Sequence, residues 1–331
     1  MDSNHKSLLM EEAALRRGLQ CHRMSYYIIA VDIGSRKIPF LQFNGPSAST
    51  SAKYICDHKH LAKDFLSKAH LPINPGKDFP VDDEDQIASF ATSFPGPTVI
   101  KPSSLSKARG VSLNVTTLED ALRAQARIKG LYTEMFGAPS EISRILVEKQ
   151  FEGSDIYRFF VVGEAVVSII RQSPAQVRGD GRLSIRELIG EKNRDRASSP
   201  YFRERLVPES MDGLSALVRS RRSLDDIPEP EELVILQDEI NVGQGGENVD
   251  VTELVHGSYR DLAVRAIQAI PGMHYGGVDM FIRDYTSSRG PGNCAVSEVE
   301  FSPGPTGLFP NVGTPRDIAG AILEFYIKSD F

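Results

Sequence analysis

The sequence contains little cysteine. Its three cysteines, Cys21, Cys56 and Cys294, lie far apart and are odd in number. A disulfide framework needs an even set, and no CxxC pair is present to indicate a zinc or redox site. Free thiols of this kind are typical of reducing compartments, so the sequence predicts a cytoplasmic protein.

Long apolar runs and an excess of basic residues are also missing. Glu11 and Glu12 interrupt the first eighteen residues, which excludes a signal peptide and a membrane span there. The net charge of -6 argues against a general nucleic-acid partner, because such proteins usually carry a concentrated basic face. The hydrophobic content of 40% and charged content of 25% are typical of a globular protein. A chain of 331 residues favours two or three packed units.

Short β-prone runs alternate with helical segments without strict βαβ regularity, which favours an α+β fold with antiparallel sheets. A β-hairpin is predicted across Gly34-Ser35, a proline-punctuated loop over residues 74–85, and a mobile excursion outside the core over about 192–230. The predicted helices are 7–17, 49–71, about 118–128 after Thr116, one beginning at Ser184, 258–270, and 314–327 after Thr314-Pro315.

The most informative local pattern is the last predicted strand pair. Glu298 and Glu300 stand two apart in SEVEF, so on a strand both point to one face. The preceding strand carries Asp279 within GVDMF. If the strands pair, three carboxylates converge as magnesium with a nucleotide requires. The alternative is an amphipathic strand whose glutamates face water.

A lysine and a small-residue loop follow another short strand. Lys101 ends the strand PTVIK, and a serine-rich run closed by Gly110 comes after it. A charge beside loop amides and hydroxyls can hold phosphate, although an ordinary surface lysine fits the same pattern. The loop does not have the GxxxxGK[ST] pattern of a Walker loop.

Two further groups of charges stand at or within apolar strands. Glu148 and Lys149 end one strand, with Asp155 beyond a glycine turn, which indicates either an adenosine pocket or ordinary strand-end charges. Arg158 and Arg171 lie inside apolar strands, where an unpaired charge is costly. They have internal acidic partners, or they face a cleft that receives anions.

Taken together, these motifs resemble the ATP-grasp superfamily, in particular the ATP-grasp modules of cyanophycin synthetase and of bifunctional glutathione synthetase. The resemblance covers roughly residues 50–331 and includes the KNRD at Lys192–Asp195. Its segments are CDHKHLAKDFL, VIKPSSLSKARGVSLNV, ILVEKQFEGSDIYRFFVVGEAVVSIIRQSPAQVRGDGRLSIRELI, INVGQGGENVDVTE, and GVDMF followed by SEVEFSPG.

The resemblance implies an ATP-grasp fold, in which two α/β subdomains grip ATP between antiparallel sheets. The expected units are a reduced N-terminal unit at 1–50, a small subdomain with the phosphate loop at 51–150, and a C-terminal subdomain with the metal and substrate site at 151–331. The shortness of the first unit leaves open whether a second copy of the chain completes the site.

The resemblance also implies roles for individual residues. The loop 103–110, with Lys107 and Gly110, would close over the phosphates, and one or two Mg²⁺ ions, or Mn²⁺ as an alternative, would be bound. The implied roles are: for the ATP phosphates, Lys59 and Lys101; for adenine, Glu148, Lys149 and Phe151; for ribose, Asp155; for the metal, Asp279, Glu298 and Glu300; for the acyl phosphate or the substrate carboxylate, Arg158 and Arg171; for the acceptor, Asn241 and Gly245-Gly246.

The implied activity is that of an ADP-forming ligase which couples an amino acid or small peptide to an amine. Three departures from the family pattern bear on it: Lys107 and Ala108 replace small residues, Glu300 replaces asparagine, and Gln237 replaces arginine. The altered phosphate loop leaves open a nucleotide-binding module without turnover, and a small-molecule kinase on the same fold is a second alternative.

Overall fold

The structure is a computed structural model that describes residues 5–105, 109–140, 142–329 and 331. The predicted phosphate-loop residue Lys107 lies outside this set. The N-terminal unit comprises α1 (His5–Arg16), β1 (Cys21–Arg23), β2 (Ile28–Ile33) and β3 (Arg36–Leu41). The three strands form an antiparallel sheet in chain order, and the hairpin predicted across Gly34-Ser35 is confirmed.

The next segment folds as two helices, α2 (Thr50–Asp57) and α3 (Lys59–Lys68), so the prediction of one helix over 49–71 is wrong. Ser49 caps α2 as its hydroxyl accepts from the amide of Ala52. At His58 the backbone is extended, and the amide of Lys59 donates to the carbonyl of Ser103 at 2.8 Å. That long-range bond replaces a helical one and breaks the helix.

A four-stranded antiparallel sheet with order β4-β7-β5-β6 forms the small subdomain. The predicted loop over 74–85 contains its edge strand β4, whose Pro80 is tolerated because an edge strand has a neighbour on one side only. Helix α5 is longer than predicted, and its cap is Thr117 and not Thr116. The elements are β4 (Gly76–Pro80), α4 (Glu84–Ala91), β5 (Thr98–Pro102), β6 (Ser112–Val115), α5 (Leu118–Phe136) and β7 (Arg144–Lys149).

A five-stranded antiparallel sheet, with order β12-β9-β8-β13-β14, forms the second half of the chain. Its last helix begins at Ile318 behind the cap Asp317, later than the predicted Thr314-Pro315. The elements are β8 (Asp155–Val162), β9 (Ala165–Ser173), β10 (Gln176–Arg178), α6 (Ile185–Ser198), α7 (Ser215–Arg219), β11 (Leu233–Ile235), β12 (Glu247–Asp250), α8 (Gly257–Gln268), β13 (Tyr275–Ile282), β14 (Cys294–Glu300) and α9 (Ile318–Lys328).

Residues between β9 and β12 form a satellite unit around the hairpin β10-β11. The prediction that 192–230 lie outside any core is wrong, because Val207, Leu214 and Leu217 are buried with residues of α6. These apolar residues follow no helical or strand period, so the sequence pattern does not reveal them. The capping box predicted at the start of α6 is confirmed, since Ser184 and Glu187 bond each other's backbone amides.

The large sheet is covered on both faces. Alternate residues of β8 separate the two sides, as a strand requires: Phe159 packs with α2, α3 and α8, whereas Phe160 packs with the N-terminal unit and α9. The N-terminal unit therefore shares a core with the large sheet. Among the described residues, no helix combines the length and apolar character needed to cross a membrane.

Candidate active site

Three adjacent strands of the large sheet bring charged side chains to one face. Arg158 on β8 lies opposite Asp279 on β13, and Asp279 lies opposite Glu298 on β14. Glu300 follows on the same face, while Val278 and Val299 point into the core behind. Oxygen atoms of Asp279, Glu298 and Glu300 lie within 4.8 Å of one another, as the strand pattern predicts. We call these three residues the carboxylate cluster.

Arg158 is bonded to the cluster. Its Nε and Nη2 donate to the two oxygens of Asp279 at 2.8 and 2.7 Å, and Nη2 also donates to Glu300 at 2.7 Å. Burial opposes its charge, but Asp279 and Glu300 outweigh burial and raise the pKa of Arg158 well above its ordinary value. Of the two interpretations open for this arginine, the structure shows internal acidic partners.

The acids of the cluster are in excess over this arginine. Burial raises the pKa of Glu300, Arg158 opposes burial, and with the added effect of Asp279 and Glu298 the pKa is about 8. Burial likewise raises the pKa of Asp279. A divalent cation would favour the ionised carboxylates, and carboxylate oxygens are the ligands that Mg²⁺ prefers. The donor set fits a magnesium ion, and its role as ligand stays a prediction.

Lys59 connects the cluster to the phosphate loop. It is the first residue of α3, and its Nζ lies 3.5 Å from Glu298. The same Nζ donates to the carbonyl of Leu105, in the loop predicted to close over phosphates, at 2.7 Å. Gly110 ends that loop with a φ of 77°, where a Cβ would lie 2.9 Å from the ring of Pro102. This position therefore requires glycine.

A second charged group lies in the small subdomain. Lys101 on β5 forms an ion pair with Glu148 on β7 at 2.5 Å, and Lys63 on α3 pairs with the other oxygen of Glu148. Burial opposes the charge of Glu148, but the two lysines outweigh burial and lower its pKa. Burial lowers the pKa of Lys63. Burial also acts to lower the pKa of Lys101, but Glu148 outweighs burial there and raises it. We call these three residues the lysine cluster.

The sequence reasoning did not identify Lys63. A usable signal was present, because Lys59 and Lys63 stand four apart at the start of a helix and so share a face. The resemblance implies a place for Glu148 in the adenine pocket, yet its side chain is 2% exposed and enclosed by the two lysines. Any contact that Glu148 makes with adenine therefore has to be made beside this ion pair.

The segment after β7 carries an aromatic pair. The ring of Phe151 stacks on Phe281 with centroids 5.7 Å apart and an angle of 8° between the planes. Phe281 is two residues from Asp279 on β13, so both point to the same side of the sheet. The guanidinium of Arg283 lies 5.0 Å from the Phe151 ring, and Lys149 is exposed at the strand end. An apolar surface therefore borders the carboxylate side.

The structure does not bring Arg171 to the carboxylate cluster. Arg171 lies opposite Tyr157, the neighbour of Arg158, and so points to the other face of the sheet. Its partner is Asp155 at 3.7 Å, and both side chains are exposed by more than a third. The interpretation that Arg158 and Arg171 act together on one substrate group is therefore corrected.

Asn241 lies in the loop before β12, at the opposite edge of the sheet from β14. Its side chain accepts from the amide of Gly243 at 2.9 Å and shapes the turn. Arg196 of α6, which the sequence reasoning missed, donates to the carbonyls of Gly245 and Gly246 at 3.3 Å each. Asn241 has no described contact with the carboxylate cluster, and its acceptor role stays a prediction.

Known proteins resemble this chain in sequence. No family model matches the chain. It is 28% identical over 321 residues to the glutathione biosynthesis bifunctional protein of Clostridium perfringens, covering 94% of this chain and 39% of that relative. It is 28% identical over 278 residues to the cyanophycin synthetase of Synechocystis sp., covering 83% of this chain and 30% of that relative.

A solved structure of a protein with a related name superposes on this chain. The bifunctional glutathione synthetase from Pasteurella multocida superposes with a TM-score of 0.72 at 23% identity, covering 97% of this chain and 44% of that protein. The chain thus spans less than half the length of each protein that it matches. The resemblance drawn from the sequence motifs is confirmed for the architecture: this chain has the α+β fold of the ATP-grasp superfamily.

Proposed function

We propose that this chain is an ATP-dependent ligase that joins a carboxylate to an amine. The observation that carries the proposal is the pairing of two clusters of opposite excess charge. Asp279, Glu298 and Glu300 outnumber Arg158, while two lysines outnumber Glu148, and Lys59 lies between the clusters. A metal ion and a polyphosphate together have the complementary charges.

The names of the relatives support the same reaction class. The proteins from Clostridium perfringens and Synechocystis sp. are named for the biosynthesis of glutathione and of cyanophycin. Both names refer to products built from amino acids by amide bonds. The substrate of this chain is accordingly proposed to be an amino acid or a small peptide.

The charged residues of the two clusters have different proposed roles. Asp279, Glu298 and Glu300 would hold one or two Mg²⁺ ions, which would offset the charge of the phosphates. Arg158 fixes two of these carboxylates through its three hydrogen bonds, so we assign it to positioning the metal ligands. Lys59 and Lys101 would bind the phosphates of ATP.

The nucleoside has a candidate contact on the carboxylate side of the sheet and another at the start of β8. We propose that adenine lies against Phe151, at the turn that begins with Glu148 and Lys149. Asp155 points with Arg171 to the other face, but it is the first residue of β8, so it would accept from the ribose hydroxyls around the end of that strand and share them with Arg171. Lys107 and Gly110 belong to the loop proposed to cover the phosphates.

The proposed reaction has two steps. An oxygen of the substrate carboxylate attacks the γ-phosphorus of ATP, the bond to the β-phosphate oxygen breaks, and ADP leaves. The amine nitrogen then attacks the acyl carbon, loses a proton and expels phosphate. Water would hydrolyse the acyl phosphate, so the covering loop has to exclude it.

The test is incubation with MgATP, hydroxylamine and pools of amino acids and short peptides. Hydroxylamine traps an activated carboxylate, so ADP and hydroxamate should appear together with one pool. In Glu298→Gln the rate should fall by about a thousandfold, because a metal ligand loses its charge. Glu324→Gln changes a half-exposed glutamate of α9, serves as the matched control and should leave the rate unchanged.

Other outcomes decide between the alternatives. A phosphorylated hydroxyl compound without hydroxamate would indicate a kinase. MgATP binding without turnover in any pool would indicate a nucleotide-binding module and contradict the ligase proposal. A cytoplasmic location, the absence of nucleic-acid and membrane partners, and the oligomeric state stay predictions.

A further inference from the structure

Lys6 is a cationic side chain that the proposed mechanism does not use. It lies in the first turn of α1, and its Nζ donates to the carbonyl and hydroxyl oxygens of Ser302 at 2.8 and 3.0 Å. Asn44 donates to the same hydroxyl at 3.2 Å, and Lys6 lies 5.9 Å from the Phe43 ring. The N-terminal unit therefore places an ammonium group two residues beyond Glu300.

Among residues 5–105, 109–140, 142–329 and 331, this ammonium group has no acidic counter-ion. In the parts of the chain that the structure describes, Lys6 forms no ion pair with an acidic residue. Burial lowers its pKa to about 8; Glu300 acts to raise the pKa, and Arg158 acts to lower it. Lysines are rarely desolvated without an acidic partner, so the missing anion is expected from a ligand.

The position of Lys6 indicates which ligand supplies this anion. The charged groups form a row. Lys101 and Lys63 share Glu148, and Lys59 of the same helix as Lys63 reaches Glu298. Beyond Glu298, Arg158 joins Asp279 to Glu300. Lys6 follows beyond Glu300, at the end of this row away from Lys101. The phosphate loop contacts Lys59, so we expect ATP at the Lys101 end of the row. The Lys6 end is then left for the substrate that provides the carboxylate.

We infer that Lys6 binds a carboxylate of the donor substrate, so that the N-terminal unit completes the donor pocket. An ammonium group has three N–H donors. Ser302 accepts hydrogen bonds from Lys6 through its carbonyl and hydroxyl oxygens, which leaves one N–H to donate to an incoming carboxylate. The identification of this substrate as the donor rests on the proposed function. The carboxylate is either the one that reacts or a second one on the same molecule.

The first experiment needs no turnover. Lysines are acetylated to a trace level in the presence of MgADP, with and without L-aspartate, L-glutamate and their α-linked dipeptides, and each site is quantified by mass spectrometry. At least one probe should protect Lys6 about threefold or more and leave the exposed Lys68 unchanged. Equal labelling of Lys6 with and without every probe would overturn the inference.

The second experiment uses the donor found with hydroxylamine. Lys6→Gln should raise the donor KM or lower kcat by about ten- to hundredfold, because a charge-assisted hydrogen bond is lost. Lys6→Arg should recover most of the loss, and the KM for MgATP and the melting temperature should stay unchanged. A fall in kcat identifies the reacting carboxylate, and a rise in KM alone identifies a second one.

Two controls separate this inference from the proposed function. Lys68→Gln makes the same change at an exposed ion pair of α3 and should have no effect. If Lys6→Gln behaves as Lys68→Gln does, or if Lys6→Arg fails to recover activity, Lys6 does not bind the donor. Protection of Lys6 by a probe without any hydroxamate would overturn the ligase proposal and leave the carboxylate site.

Discussion

The lysine cluster and the carboxylate cluster face the same proposed ligand with opposite charges and different degrees of burial. Glu148 is 2% exposed between Lys63 and Lys101, whereas Glu298 and Glu300 are each 28% exposed. The lysine cluster carries one positive charge in excess, and the carboxylate cluster, when fully ionised, carries two negative charges in excess of Arg158. One cluster is closed by its own ion pairs, while the other has carboxylates accessible to an ion.

This difference in burial distinguishes the charges that stabilise the fold from those that are available to a ligand. A buried acid between two lysines is costly to remove, because it leaves uncompensated charge. A partly exposed carboxylate is less costly to alter, since water can solvate what remains. Mutations in the lysine cluster should therefore affect stability first, and those in the carboxylate cluster should affect activity first.

The largest effect on stability is expected from Glu148→Gln. It leaves Lys63 and Lys101 without their shared partner, so the free energy of unfolding should fall by about 3–5 kcal/mol at neutral pH. Adding Lys63→Met should recover part of this loss. Denaturant unfolding followed by circular dichroism measures both changes, with Glu324→Gln at a half-exposed ion pair as the control.

The effect of Glu148→Gln should also depend on pH. The lysines lower the pKa of Glu148 against the opposing effect of burial. Its ionisation therefore stabilises the fold above its ordinary pKa, and this contribution is lost as the pH falls. The difference between variant and parent should shrink in acid. A difference that stayed constant down to acid would show that the ion pairs do not stabilise this region.

A smaller effect is expected when one lysine is removed. Lys101→Met should weaken MgATP binding by about ten- to hundredfold, as one charge-assisted contact with phosphate is lost. Lys63→Met should weaken it less, because Lys63 is the lysine whose pKa burial lowers. Calorimetric titration with MgATP compares the two. Equal losses in both variants would show that the cluster binds as a unit and remove the distinction.

The smallest effect is expected from Glu300→Asn. Asparagine keeps an oxygen ligand and removes one negative charge near Arg158. We expect kcat/KM for the identified donor to change by less than about tenfold, or about 1.4 kcal/mol. Glu298→Asn is the matched comparison and should be much more harmful, because Glu298 also contacts Lys59. Equal loss in both would place Glu300 among the indispensable ligands.

Strand periodicity predicted the carboxylate cluster well. The spacing of Glu298 and Glu300 places them on one face of any strand, and a single pairing with the strand of Asp279 completes the set. The same periodicity places Arg171 away from Arg158, but this follows only once the register between β8 and β9 is known. Arrangements that depend on a register between strands could not be derived from local pattern.

Local sequence alone determined most helices and strands, the paired glutamates, the capping box at Ser184 and the motifs of the ATP-grasp fold. These features depend on propensities and spacings within a few residues. Only the tertiary structure decided the edge strand β4, the satellite core, the burial of Glu148 between two lysines and the approach of Lys6 to Ser302. Each of these joins residues distant in sequence, and their stability depends on packing and charge compensation that local patterns do not contain.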